Sequence, residues 1–237
     1  MARAGRPPRR LARRPLTFVF AGGAEIDWEV DREEMVRQQV AARGVLDPAV
    51  LAAMRSVPRH EFIPPEYSDL AYDDRPLPIG YDQTISQPYI VGYMTSALEA
   101  GPDDRILEVG AGSGYQTAVL AEIVRAVYSV EIVPELARRA GRTLRTLGYR
   151  NAFVIAADGH DGWPRAAPFD GIVLTAAPSA VPAPLFDQLA EEGRMVAPVG
   201  SGEEQRIFRW RYGPDGVRFD DLIPVRFVPM TGGGPLG

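Results

Sequence analysis

The chain has 237 residues, 46% of them hydrophobic, which is enough to bury one α/β domain with a modest extension. It contains no cysteine and only two histidines, His60 and His160, so disulfides, thiolate nucleophiles and Cys-ligated zinc are excluded and a His-rich metal site has no basis. Its 26 basic residues, all arginine, face 31 acidic ones for a formal charge of −5; six arginines fall in residues 1–15, so the body keeps 20 basic against 31 acidic side chains, a formal −11 that argues against a nucleic-acid backbone as substrate.

Taken from the start, residues 1–25 combine arginine and proline and read as a disordered extension. Two alternatives stay open for it: an export signal, from the arginines followed by apolar 16–20 and small 21–24, and a nucleic-acid arm. No apolar run approaches the ~20 residues needed to span a membrane. Met35, Val36 and Val40 share one helix face, and Asp47-Pro48 supplies an N-cap with proline at the first helical position of a second helix carrying Val50, Leu51 and Met54. Pro58 ends it. The pattern fits a lid over the main sheet and simple packing helices equally well.

Residues 59–92 are rich in proline, turn formers and aromatics, as in Arg59-His60-Glu61-Phe62-Ile63-Pro64 and Gln83-Thr84-Ile85-Ser86-Gln87-Pro88-Tyr89. The segment is too apolar for a solvated linker and too irregular for a strand or helix, and is expected to be a binding loop. Pro88 opens a helix through Met94 to Leu98. Thr84, Ile85 and Ser86 then stand near its N-terminus, where backbone N–H groups favour an anion; by composition alone, Thr84 and Ser86 read more simply as caps.

Ile106, Leu107 and Val109 read as the end of a buried parallel strand, and Gly110, Gly112 and Gly114 as a tight turn feeding a helix from Tyr115. A Cβ at such positions blocks close approach of a ligand to the backbone. In a dinucleotide fingerprint the third glycine falls three residues after the second, where this chain has Tyr115, which argues against NAD or FAD. Glu131 closes the next apolar run, where a carboxylate can accept both hydroxyls of a ribose. This E-x-G-x-G-x-G pattern, headed by Glu108, together with the strand-end acid resembles motif I and its partner in class I S-adenosylmethionine (SAM) methyltransferases.

Beyond it, Pro134 opens a helix with Leu136, Ala140, Leu144 and Leu147 at helical spacing, closed by Gly148. Phe153 to Ala156 is the next strand, followed by Asp158-Gly159, a turn whose strand-end position also suits contact with adenine. Residues 169–175 form a buried strand, Pro184 starts a helix through Leu189 that ends at Gly193, and Met195 to Val199 is another strand. Ile207 to Tyr212 and Leu222 to Val228 alternate like antiparallel strands. The expected fold is α/β, the Rossmann-like SAM-methyltransferase fold: a mostly parallel sheet with helices on both faces and antiparallel C-terminal strands. Residues 26–237 make one domain, with helices and a substrate loop in 26–100 and the SAM-binding core in 101–237. Ligands of such sheets lie outside the carboxyl ends of the strands, where Glu108, Gly110, Glu131 and Asp158 fall.

Four blocks together, R-H-x-F-I-P from Arg59, Q-T-I-S-Q-P-Y from Gln83, E-V-G-x-G-S-G-Y-Q-T-A from Glu108 and R-F-V-P-M-T-G from Arg226, resemble the protein-L-isoaspartate O-methyltransferases over about residues 35–232. The chain departs from that family at Tyr81-Asp82 before Gln83 and at Ala157 before Asp158, which touches loop shape rather than reacting side chains. The resemblance implies methyl transfer from SAM to the free α-carboxylate of L-isoaspartyl residues in damaged proteins, starting their return to aspartyl. It implies Gln83, Thr84, Ile85, Glu108, Gly110, Gly112, Gly114, Tyr115, Glu131, Ile132, Asp158 and Gly159 for the cofactor, and the backbone around Val228 and the Thr231 side chain for the substrate.

An α-carboxylate of pKa roughly 3 to 4 is already ionised at neutral pH, so no general base is required. Holding one of its oxygens in line with the methyl–sulfonium bond is sufficient and can supply several kcal/mol. The Ser86 hydroxyl and nearby backbone N–H groups are the candidate orienters, and no metal is called for. The expected partners are isoaspartyl proteins and peptides, not nucleic acid or membrane, and the expected state is a cytoplasmic monomer. A small-molecule or RNA methyltransferase would share motif I but should show a basic groove or a metal-binding acidic cluster; a non-catalytic nucleotide-binding module would leave residues 83–89 as idle packing.

Overall fold

The computed structural model describes residues 27–213 and 216–233; the expectation for residues 1–25 lies outside them. Asp27 accepts hydrogen bonds from the amides of Glu29 and Val30 and starts α1 (Trp28–Glu34), which runs on as a π-helical turn over Met35–Val40. Met35, Val36 and Val40 are fully buried, as their spacing predicts. Asp47 caps α2 (Pro48–Ser56) through the amides of Ala49 and Val50, and Val50 and Met54 enter the core. The chain then makes two 3₁₀ turns, Arg59–Phe62 and Pro65–Leu70.

The stretch that the sequence presents as irregular contains a small antiparallel hairpin, β1 (Leu77–Gly80) and β2 (Gln83–Ile85). Its two-residue loop, Tyr81-Asp82, has φ of +57° and +55°, the signs of a type I′ turn, whose usual residues are Asn and Gly. Tyr-Asp conceals the turn, and strands of four and three residues are too short for alternation to declare itself. Leu77, Ile79 and Ile85 nonetheless face inward and are buried. Pro88 opens α3 (Pro88–Leu98) at its first position, as expected.

The main sheet follows as β3 (Arg105–Val109), α4 (Tyr115–Ala121), β4 (Ala126–Glu131), α5 (Pro134–Leu147), β5 (Ala152–Ala156), β6 (Phe169–Leu174), α6 (Ala183–Phe186), β7 (Leu189–Val199), β8 (Gln205–Gly213) and β9 (Gly216–Val225). The strand order is β5-β4-β3-β6-β7-β8-β9. Pairs from β5 to β7 are parallel, while β7–β8 and β8–β9 are antiparallel. This is the mostly parallel Rossmann-like sheet with antiparallel C-terminal strands that the alternation predicts. Ile106, Leu107, Val127, Val130, Ile172 and Val173 are fully buried because β3, β4 and β6 are covered on both faces.

Several element boundaries differ from the sequence reading. The helix expected from Pro184 through Leu189 is the single turn α6, and Gly193 sits inside β7 rather than ending a helix. Leu189 pairs with Phe169 and Arg194 with Gly171, so residues 190–193 bulge from the ladder; a Cβ on Gly193 would stand 2.8 Å from the Ala190 carbonyl oxygen. At the C-terminus, β9 starts at Gly216 rather than Leu222 and ends at Val225. Residues 226–228 leave the ladder, and Pro229 bridges to Ala177. That departure carries Val228 over the end of β6. No helix among the described residues is long and apolar enough to cross a membrane.

A non-glycine residue in the left-handed region costs roughly 1–2 kcal/mol, less for Asp. The double substitution Tyr81→Asn with Asp82→Gly is therefore expected to raise the unfolding free energy by about 1 kcal/mol. Urea titration measures it, and an unchanged or lower midpoint would show that the Tyr81-Asp82 loop carries no relievable strain.

Candidate active site

At β3 and β6 the strand order reverses, β4 and β5 lying to one side and β7 to the other, which opens a crevice at their carboxyl ends. The chain leaving β3 is tied down on both sides of that crevice. The amides of Gly110 and Ala111 donate to the Val130 carbonyl at 2.8 and 3.1 Å, and the Gly112 amide donates to the Glu131 carboxylate at 2.7 Å. From the β6 side, the Thr175 amide donates to the Val109 carbonyl at 2.9 Å, and its hydroxyl donates to the Gly110 carbonyl. A Cβ at Gly110, whose φ is +102°, would run into the Thr175 hydroxyl.

The crevice forms a cleft between these strand ends and the β1–β2 hairpin. Of the residues singled out in the sequence, Gln83, Thr84, Ile85, Ser86, Gly110, Gly112, Tyr115, Glu131, Ile132, Gly159, Val228 and Thr231 all line it. The β1–β2 hairpin brings Gln83–Ile85 to the wall and is pinned to α5 by Arg139, whose guanidinium donates to the Ile79 carbonyl. Glu131 is buried, and each of its oxygens accepts one backbone amide, from Gly112 and from Val133 at 2.9 Å. A carboxylate oxygen has room for more than one donor. Both Glu131 oxygens are thus aimed by the protein and still able to accept from a ligand.

Glu108, Gly114 and Asp158 do not line the cleft, and each has work elsewhere. Glu108 is fully buried; one oxygen accepts from the hydroxyls of Thr117 (2.5 Å) and Ser129 (2.7 Å), joining β3 to α4 and β4, and the other has no partner. Burial pushes its pKa up to about 7, against the pull of the two hydroxyls. Gly114 begins α4 in a left-handed conformation, and a Cβ there would press on Ala140 of α5 at 3.1 Å. Asp158 accepts from the amides of His160 (2.9 Å) and Gly233 (2.7 Å) and lies 2.9 Å from His160 Nδ1. Burial works to raise its pKa, but those hydrogen bonds prevail and hold it below the usual aspartate range. Asp158 thereby fastens the segment that brings Met230 and Thr231 to the cleft.

A second cleft meets the first. Its walls include Arg43, Gln87, Tyr89, Ile90 and residues 223–228, and it shares Thr84, Ser86, Thr175 and Val228 with its neighbour. Arg43 stacks over the Tyr89 ring at 3.6 Å and pairs with Asp74 at 2.9 Å.

Sequence reasoning missed Thr175 and Arg59. Thr175 had a usable signal, a polar residue directly after a buried strand. Arg59 had none by composition, because an arginine is expected at the surface, yet it is fully buried and donates at 2.8 Å to the carbonyls of both Ala71 and Ser86. His60 serves packing: it stacks on Trp28 at 4.7 Å, meets the Tyr72 hydroxyl at 2.8 Å, and burial lowers its pKa to about 4. Among the described residues, no group of three or more His, Asp or Glu is placed to hold a metal ion.

The sequence profile of the protein-L-isoaspartate(D-aspartate) O-methyltransferases matches residues 30–234. A protein-L-isoaspartate O-methyltransferase of Gloeobacter violaceus is 58% identical over 83% of this chain and 97% of its own. One of Opitutus terrae is 52% identical over 85% and 87%. A solved protein-L-isoaspartate O-methyltransferase superposes with a TM-score of 0.77 at 27% identity, covering 85% of this chain and 66% of that one.

A carboxyl whose pKa is higher folded than unfolded costs stability increasingly as pH rises from its ordinary value to its native one, for Glu108 from 4.5 to about 7. Glu108→Gln keeps a carbonyl for Thr117 and Ser129 and cannot ionise. Relative to the wild type it is expected to gain stability across that window, on the order of 1–3 kcal/mol by pH 8. Urea titrations at pH 4 and pH 8 check this; a difference independent of pH would show that Glu108 does not titrate in the folded protein.

Proposed function

This chain belongs to the protein-L-isoaspartate(D-aspartate) O-methyltransferase family, and from that premise we propose how its residues divide the work. The activity is transfer of the methyl group of SAM to the free α-carboxylate of L-isoaspartyl residues in damaged proteins, the first step of their return to aspartyl. The carrying observation is the wall that the two clefts share, Thr84, Ser86, Thr175 and Val228. The cleft at the strand ends takes the cofactor and the second takes the peptide, so donor and acceptor meet at that wall.

The first cleft fits the cofactor. Gly110 and Gly112 leave backbone bare along it, and Glu131 offers two oriented oxygens of the kind a ribose diol needs. When bound, SAM supplies a methyl group activated on a sulfonium. Gln83, Thr84, Ile85, Tyr115, Ile132 and Gly159 complete the cofactor wall. Glu108, Gly114 and Asp158 support it from behind, by locking strand to helix, packing α4 on α5 and fastening residues 230–233. At the shared wall the Ser86 hydroxyl orients the acceptor carboxylate, with the backbone around Val228 and the Thr231 hydroxyl beside it. The acceptor arrives ionised, so these residues move no proton; they hold an oxygen in place and exclude water.

In the same reading, residues 26–237 are one domain, with the N-terminal helices and substrate loop in 26–100 and the SAM-binding core in 101–237. The enzyme acts as a cytoplasmic monomer on proteins and peptides and not on membranes; the formal −11 of the body supports the exclusion of nucleic acid. Sedimentation of the purified chain and fractionation of its cells test the monomer and its compartment.

Glu131→Ala is expected to weaken SAM binding by about 1.5–3 kcal/mol, roughly ten- to a hundredfold, without unfolding the protein. Titration calorimetry decides it, and an unchanged dissociation constant would place the ribose elsewhere. Ser86→Ala is expected to slow methylation of an isoaspartyl peptide moderately while leaving SAM affinity alone, since backbone donors remain. A normal aspartyl peptide should be a poor substrate for wild type and variant alike, because its carboxylate hangs at a different reach and ~1 Å of misplacement costs ~100-fold. Equal turnover of the two peptides by the wild type would sink the assignment.

A further inference from the structure

The functional reading leaves Arg59 without a role, although its burial is costly. An ion taken from water without a counter-ion loses several kcal/mol of solvation. Arg59 is fully buried, and no carboxylate among the described residues pairs with it. Its Nε and Nη2 are spent on the carbonyls of Ala71 and Ser86, and Nη1 has no acceptor. The guanidinium carbon stands 4.8 Å from the centroid of the Tyr115 ring, and the buried Tyr115 hydroxyl interacts electrostatically with the guanidinium without closing a hydrogen bond of regular geometry. Burial lowers the Arg59 pKa to about 10, which leaves the group charged at neutral pH.

Ser86 and Tyr115 both line the cofactor cleft, and Ser86 stands on the wall shared with the second. Arg59 is therefore a full positive charge one residue behind that wall, in a medium that screens it weakly. The arginines that line the second cleft are in a different position: Arg43 is paired with Asp74 at 2.9 Å and Arg226 with Glu203 at 2.5 Å, both toward solvent.

We propose that Arg59 is a positioning residue for the acceptor: it fixes the backbone of Ser86, and its uncompensated charge draws and holds the carboxylate of the incoming isoaspartyl residue, which becomes its counter-ion. This rests on the reading of the shared wall as the place where the acceptor carboxylate sits. It also explains why the position carries arginine rather than an apolar residue. An isostere without charge could fill the space, but it could neither bind two carbonyls at once nor favour an anion beyond them.

The test separates attraction of the charge from support of the fold. With the protein saturated in S-adenosylhomocysteine, calorimetry compares a peptide containing one L-isoaspartyl residue with the same peptide bearing an α-carboxamide in place of that carboxylate. The wild type is expected to bind the acid at least about tenfold more tightly than the amide and to keep that ratio in 0.5 M NaCl, because a buried charge is little screened. Arg59→Met is expected to bring the ratio near unity with cofactor affinity retained, and Arg59→Lys to keep most of it. Retention of the full ratio in Arg59→Met would overturn the proposal, since a purely structural arginine weakens acid and amide alike. Should that variant not fold, the salt series decides: a wild-type ratio abolished at 0.5 M would assign the attraction to exposed arginines such as Arg43 and Arg226. A wild type that methylates the isoaspartyl peptide yet shows no preference for acid overturns the role of Arg59 alone, whereas failure to methylate any isoaspartyl peptide removes the functional reading as well.

Discussion

The close approach of Gly110 to Thr175 is the contact on which the molecule's working parts depend. β3 and β6 can lie side by side and still send their chains apart only if the backbone after β3 turns with nothing on its Cα; any Cβ there would collide with the Thr175 hydroxyl that closes the gap. The same turn delivers the Gly112 amide to Glu131 and starts α4, so one bare residue sets the floor of the cleft, the aim of its carboxylate and the entry of a helix.

Around this turn, four ionisable side chains are taken from water and each is treated differently. Glu131 is bound by two backbone amides and faces the cleft. Asp158 is bound by two others and serves as a fastener. Glu108 receives two hydroxyls on one oxygen and nothing on the other, and burial keeps its neutral form favoured until the pH approaches about 7. Arg59 has no neutral option at physiological pH and no internal anion, which makes it the group whose burial cost a ligand of opposite charge can offset.

The acceptor side is built by different means from the cofactor side. The cofactor wall comes from the carboxyl ends of parallel strands, whose positions follow from the ladder. The acceptor wall is assembled from Thr84 of the hairpin, which also lends Gln83–Ile85 to the cofactor wall, from the approach to α3 and from the stretch after β9 where the chain quits its sheet. Such parts owe their placement to a few specific ties, notably Arg59 to Ser86, Arg139 to Ile79 and the exchange between Ala177 and residues 228 and 230.

That difference also divides what could be read in advance. The parallel core was legible because apolar runs, glycines and strand-end acids repeat in a fixed order: β3, β4, β5 and β6, the helices opened by Pro88 and Pro134, and the positions of Gly110, Glu131 and Gly159 follow from residue type and spacing alone. The β1–β2 hairpin was not, because Tyr81-Asp82 takes a turn whose usual residues it lacks, and the bulge at 190–193 was not, because Gly193 there looks like a helix stop. Neither was the division of the acidic residues. Glu108 and Asp158 occupy strand ends just as Glu131 does, and only the neighbours that folding brings to them, Thr117 and Ser129 for one and His160 and Gly233 for the other, turn them away from the cleft. Periodicity records which side of an element meets the core; it carries no record of which distant residue arrives there. The buried charge of Arg59, 27 residues from the carbonyl it holds, was therefore for the tertiary structure alone to decide.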